Sequence, residues 1–200
     1  MNPTIKPYSD ACEENKDPIL AVLKTYFNGN KQVLEIGSGT GQHAVFFAQQ
    51  LPDVTWHCSD VKSYHNGICS WLANYPDQNI KGPYELDVSQ SVWPIVEVDC
   101  IFSANTTHIM SWQNVKQLFA GVGHILSAQG YFCLYGPFNY QGKYTSDSNA
   151  QFDRYLKQRD PESGLREFDE LQILAKAANL TFLQDHEMPV NNHILVWQKT

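Results

Sequence analysis

Apolar residues at Ile19, Val22, Leu23, Tyr26 and Phe27 recur at helical spacing, which predicts a helix from Asp17, a candidate cap, to Gly29. Pro18 suits the first helical position, where no amide hydrogen is needed. Gln32 to Ile36 then reads as a short strand, broken by Gly37-Ser38-Gly39-Thr40-Gly41, and Ala44, Phe47, Ala48 and Leu51 mark a second helix ending before Pro52. The alternation continues with a strand over Thr55 to Ser59, a helix from about Tyr64 to Asn74, a weaker strand near Tyr84 and a strand over Cys100 to Ala104. Val115, Leu118, Phe119, Val122 and Leu126 place a helix over Asn114 to Leu126, and an apolar strand follows over Tyr131 to Tyr135. After a polar stretch, 136–168, a helix begins near Asp169 with Asp169 and Gln172 as a capping box. Thr181 to His186 and His193 to Gln198 then form two strands joined closely enough for a hairpin.

Short strands separated by helices pair in parallel. The order therefore predicts an α/β fold: a Rossmann-like, doubly wound sheet of about seven strands, mostly parallel, with a C-terminal antiparallel hairpin and helices on both faces. A length of 200 residues suits one domain. Residues 136–168 have no linker composition and are too long for an idle connection, so they are expected to form a lid-like insertion over a pocket.

The chemistry concentrates where the first strand delivers Gly37, Gly39 and Gly41 to a helix N-terminus. In a dinucleotide fingerprint of the form GxGxxG, the third glycine would fall at Gln42, so the spacing departs from that pattern. Glu35, two residues before the loop, is expected at the pocket mouth, where it would repel a pyrophosphate and attract the ammonium and sulfonium of S-adenosyl-L-methionine. Asp60 ends the next strand, where a carboxylate can accept from both ribose hydroxyls. Asp87 lies after the third strand, in reach of an adenine amino group. A nicotinamide-dependent oxidoreductase is the disfavoured rival.

Composition narrows the partners. Fourteen basic against 21 acidic residues give a formal charge of −7, which disfavours nucleic acid. No run approaches the roughly 18 apolar residues of a membrane span, and the first residues lack a charged region followed by an apolar run, so a cytoplasmic protein is expected. Five cysteines without CxxC spacing read as reduced structural thiols. The seven histidines show no HExxH pairing, and no metal is expected.

On these motifs the chain resembles a class I S-adenosylmethionine-dependent methyltransferase, and more narrowly the domain of unknown function 938 family. The resemblance is carried by Pro7-Tyr8-Ser9, by Ala11 to Leu20, by Leu34 to His43 and by Gly136-Pro137-Phe138-Asn139-Tyr140. Ser146 to Asn149, Phe152-Asp153, Arg159-Asp160-Pro161 and Gly164-Leu165-Arg166 complete it. It implies methyl transfer, with cofactor contact by Glu35, Gly37, Gly39, Asp60, Asp87 and residues after the fourth strand, Ala104 and Asn105. Ser38, Gly41, Gln42 and His43 in the loop and Val88 beside Asp87 complete the expected cofactor set, and Tyr8 and Asn15 are expected at the acceptor. The sequence departs from the family pattern at Glu14, where Arg is more usual.

Asn105 and His108 follow the fourth strand, where cofactor and acceptor should meet. An imidazole there can act as general base, since its ordinary pKa lies near neutrality. Tyr140 is the second candidate catalytic group and a further acceptor contact. All three arginines, Arg154, Arg159 and Arg166, fall in the insertion, so Arg159 or Arg166 is expected to bind an anionic group on a small-molecule acceptor. A non-catalytic module binding S-adenosylmethionine or S-adenosylhomocysteine is the alternative of a different class. Oligomeric state is left open.

Overall fold

The computed structural model describes residues 6–29, 31–75 and 79–200; the first five residues, part of the stretch read for a leader, lie outside them. In chain order the elements are α1 (Asp10–Tyr26), β1 (Gln32–Ile36), α2 (Gln42–Gln50), β2 (Thr55–Asp60), α3 (His65–Leu72), β3 (Ile80–Glu85), β4 (Val98–Ala104), α4 (Trp112–Ile125) and β5 (Leu126–Gly136). The insertion holds β6 (Phe138–Tyr140), β7 (Lys143–Tyr144), α5 (Asp147–Arg159) and β8 (Arg166–Glu167). Next come α6 (Phe168–Ala177), β9 (Leu180–Met188) and β10 (Asn192–Lys199).

Seven strands form one sheet in the order β3-β2-β1-β4-β5-β10-β9, with β7-β6-β8 as a small second sheet. β1 pairs in parallel with β2 and β4, and β10 runs antiparallel between β5 and β9. The doubly wound sheet with an antiparallel end is therefore the observed fold.

Strand periodicity sorts the core into two layers. Leu34, Ile36, Ile101, Phe132 and Trp197 pack on one face with α4 and α6. Val33, Trp56, Cys100, Phe102, Cys133 and Val196 pack on the other with α1 and α2. Both faces are covered, which explains why β1 is buried from Val33 through Ile36. Residue 35 has the parity of Val33, so its side chain belongs to the α1 and α2 layer.

Two local expectations are corrected, and one element is added. The first helix starts at Asp10, capped by Ser9, whose hydroxyl accepts from Cys12 N at 3.3 Å, so Asp17 is no cap and Pro18 lies inside the helix. No capping box forms at α6. Its N-cap is Glu167, and Gln172 Oε1 instead accepts from Trp197 Nε1 at 2.9 Å. The polar insertion contains a 13-residue helix, α5, whose buried side chains are Asn149, Asp153 and Leu156. An amphipathic pattern fails there because two of the inward positions are polar.

Candidate functional site

The carboxyl ends of β1, β4 and β5 open onto a cleft of about 620 Å³, the size range of small-ligand sites. Its walls come from α1 (Cys12, Glu14, Asn15), the glycine loop with His43, the turn after β4 (Asn105, His108), α5 (Asn149, Phe152) and the β9–β10 turn (Val190, Asn192).

Two loop glycines are required by their surroundings. Gly37 has φ +77°, and a Cβ there would come within 2.5 Å of Thr106 Cγ2. Gly41 has φ +91°, and a Cβ there would meet the α3 backbone at Ile68 Cα, 3.0 Å away. Thr106 is itself fixed, because its hydroxyl shares a 2.7 Å hydrogen bond with Ser103 Oγ, which donates to Ile36 O at 2.7 Å. The turn after β4 and the loop after β1 are thereby locked together.

Five of the loop's backbone donors are already used. Gly37 N and Ser38 N both donate to Ser59 O, at 3.0 and 2.9 Å, and Gly41 N donates to Ser38 O at 2.8 Å. Gly39 N donates to Asp60 Oδ2 at 2.8 Å, and Gln42 N to Thr40 Oγ1 at 3.3 Å. Asp60 takes a second donor, Val61 N, on Oδ1. Burial raises the Asp60 pKa and these two amides oppose the rise.

Glu35 does not sit at the mouth. It is 2% exposed, beneath the loop, and its Oε2 accepts from Ser38 Oγ at 2.7 Å and from Trp56 Nε1 at 3.1 Å. Strand parity turns it inward. Burial pushes its pKa up to about 7, against the two donors that favour the anion. The carboxylate that does line the cleft is Glu14.

Gln42 turns away from the cleft as well. Its Oε1 accepts from Ser9 N at 2.6 Å and its Nε2 donates to Ser9 O at 3.2 Å, so it clamps the start of α1 beside the loop. Trp71 Nε1 adds a bond to Pro7 O at 2.7 Å. Asn15 and His43 meet inside the cleft, with Nε2 to Oδ1 at 2.7 Å, and burial lowers the His43 pKa to about 4. Tyr8 is exposed.

Gly136 ends β5, and a Cβ built there would lie 3.8 Å from His108 Nδ1 and 3.9 Å from Asn105 Oδ1. Imidazole and amide thus face one region above β5. His108 is 5% exposed with its ring edge-on to Phe152, and burial, with Arg166 nearby, lowers its pKa to about 4. Ala104 and Ser38 also line this cleft.

Other expected groups lie elsewhere. Asp87 Oδ1 accepts from Ser89 N at 2.9 Å, within its own turn, and Val88 lines a separate cleft against α4. Tyr140 is outside the cleft wall, its hydroxyl donating to Asp185 Oδ2 at 2.6 Å. Arg159 is exposed over the Tyr155 ring. Arg166 is spent on backbone: Nε donates to Thr107 O at 3.0 Å, and Nη2 donates to Glu162 O at 2.9 Å and to Met110 O. It pins the turn carrying His108 to the insertion.

Sequence reasoning missed Ser59, whose backbone holds the glycine loop, Ser103, whose hydroxyl links Ile36 O to Thr106, and the β9–β10 turn. Asn149 Nδ2 donates to Asn191 O at 3.0 Å, holding that turn to α5 at the cleft. Single serines in strands and a turn far along the chain give no spacing signal.

A family model described as a protein of unknown function (DUF938) matches residues 6–199. The fold is similar to an O-methyltransferase family 2 protein from Planctomyces limnophilus solved with apigenin, at 14% identity and TM-score 0.83, over 95% of this chain and 58% of that chain. It is also similar to human N-acetylserotonin methyltransferase solved with S-adenosylmethionine, at 14% identity and TM-score 0.79, over 95% and 53%. An O-methyltransferase family protein from Burkholderia thailandensis matches at 12% identity and TM-score 0.78, over 96% and 58%. The chain thus spans somewhat more than half the length of these solved chains.

Proposed function

Because the chain belongs to the DUF938 family and has a class I methyltransferase-like fold, we propose that it transfers a methyl group from S-adenosylmethionine to a small acceptor. The observation that carries this reading is the state of the glycine loop. A pyrophosphate needs free backbone N–H groups at such a turn, yet five donors, from Gly37 to Gln42, are already paired within the protein. The same loop leaves the Gly39 side open, with nothing within 4 Å of a built Cβ. An uncharged ribose and a cationic sulfonium fit such a surface, and the nicotinamide alternative does not.

When bound, S-adenosylmethionine supplies a methyl group on a sulfonium, activated toward nucleophiles. The chain's own contribution is to bring the acceptor into line with that methyl and to exclude water, and holding two reactants in register lowers the barrier more than any single proton transfer does. Asp60, whose carboxylate accepts from Gly39 N at the edge of the cleft, would hold the ribose end, and the loop fixed by Ser59 and Thr106 would set the depth of the site. Asn105 orients the reacting groups. His108, neutral at physiological pH because burial lowers its pKa, accepts a proton from the acceptor atom as the new bond forms. Such a weakly basic imidazole acts during transfer rather than before it. The solved relatives named as O-methyltransferases support a hydroxyl acceptor.

The test is transfer of labelled methyl from S-adenosylmethionine into small molecules of a cell extract. His108→Gln should lower labelling at least about 100-fold and leave S-adenosylhomocysteine binding intact. Cofactor binding with no labelled product under any condition would favour the non-catalytic binding module.

A further inference from the structure

The charge of the cleft is one-sided. Among the described residues lining it, the one Asp, Glu, Lys or Arg is Glu14. The lining histidines, His43 and His108, are uncharged at neutral pH, each lowered to about 4 by burial. The two arginines expected from the sequence are engaged elsewhere: Arg166 donates to three backbone carbonyls and Arg159 lies over Tyr155; Lys157, also in the insertion, pairs with the buried Asp153 at 2.7 Å. Glu13, one residue earlier on α1, is held by Lys16. Glu14 has no ion-pair partner among the described residues.

A carboxylate or phosphate on an acceptor entering this cleft would shed water, meet no cationic side chain among the described lining residues and lie near the carboxylate of Glu14. A neutral hydroxyl finds Asn105, His108 and Asn149 as polar partners. An ammonium finds Glu14. Resting on the function proposed above, we infer that the acceptor carries a cationic group beside the hydroxyl that is methylated, and that Glu14 sets this charge preference. The inference reverses the expectation of an anionic acceptor, because the arginines that motivated it do not reach the cleft.

The test uses protein saturated with S-adenosylhomocysteine and three phenols that differ in one substituent: tyramine, 4-methylphenol and 4-hydroxyphenylacetate. The wild type should bind tyramine about threefold more tightly than 4-methylphenol, the scale of one ion pair at the exposed Glu14, and 4-hydroxyphenylacetate most weakly. Glu14→Gln should bring tyramine to the level of 4-methylphenol, and Glu14→Arg should invert the order. S-adenosylhomocysteine affinity should stay within about twofold in both variants. Equal binding of the three phenols, an order that survives Glu14→Gln, or a Glu14→Gln loss confined to S-adenosylhomocysteine would each overturn the inference. The last outcome would mean that Glu14 serves the methionine ammonium. Failure of the wild type to bind S-adenosylhomocysteine at all would instead overturn the proposed function, so the two failures are separable.

Discussion

The glycine loop and the insertion line the same cleft, yet they use their polar groups differently. Around the loop, Ser38, Ser59, Asp60 and Glu35 satisfy one another and the backbone, leaving a self-paired surface at the floor of the cleft. In the insertion, the polar groups build the architecture. Buried Asp153 accepts from Tyr144 Oη at 2.7 Å, Lys157 Nζ at 2.7 Å and Leu165 N at 2.8 Å, while Arg166 spans carbonyls of the neighbouring turn. One region is preorganised by backbone geometry, the other by charged side chains beside a few buried apolar ones, Phe138, Leu156 and Leu165. A charged residue near a site is therefore informative about ligands only once its own partners are known.

Disrupting the loop should have the largest effect. Gly37→Val places a Cβ against Thr106 at a positive φ, so denaturant unfolding should show a loss of about 3–4 kcal/mol, and calorimetry should show no nucleoside binding. Next is Glu35→Gln, which probes the same region through pH. Glu35 has a folded pKa of about 7 against an ordinary 4.5, so its contribution is complete below the ordinary value and is lost as pH rises through about 7. The wild type should therefore lose up to about 3 kcal/mol relative to Glu35→Gln between roughly pH 4.5 and 7. A constant difference across that window would refute the buried acid. His43 and His108 act oppositely in both proteins, losing their contributions as pH falls from 6.5 through about 4.

In the insertion, Arg166→Leu leaves three carbonyls short of a donor and should cost about 2 kcal/mol in thermal unfolding, with S-adenosylhomocysteine affinity unchanged. A specific loss of anionic-ligand binding without loss of stability would contradict the architectural role. The smallest effect belongs to the turn between β9 and β10. Val190 is 75% exposed with φ +59°, a conformation that β-branched residues rarely adopt. Val190→Asn should raise stability by about 1 kcal/mol.

The same contrast explains what could be read in advance. Helix and strand order around the loop was legible because both periodicities are carried by apolar side chains such as Val33, Leu34, Val115 and Phe119. Gly37 and Gly41 were legible because few other residues tolerate their backbone angles. Glu35 was placed on the wrong side of the loop, although its parity with Val33 on a strand covered on both faces already directed it inward. α5 was hidden because Asn149 and Asp153 occupy inward positions, and the roles of Arg159 and Arg166 depend on partners that local spacing does not reveal. The clamp of Gln42 on Ser9, which closes α1 beside the loop, joins positions 33 residues apart and has no local signature.

Whether this loop accepts a phosphate-free sulfonium nucleoside is decided by calorimetric titration of the intact protein with S-adenosylhomocysteine and, separately, with oxidised nicotinamide adenine dinucleotide. Tighter binding of S-adenosylhomocysteine by at least about tenfold, or ~1.4 kcal/mol, is the expected result. Equal or tighter binding of the dinucleotide would rule out the self-paired loop as the basis of ligand choice.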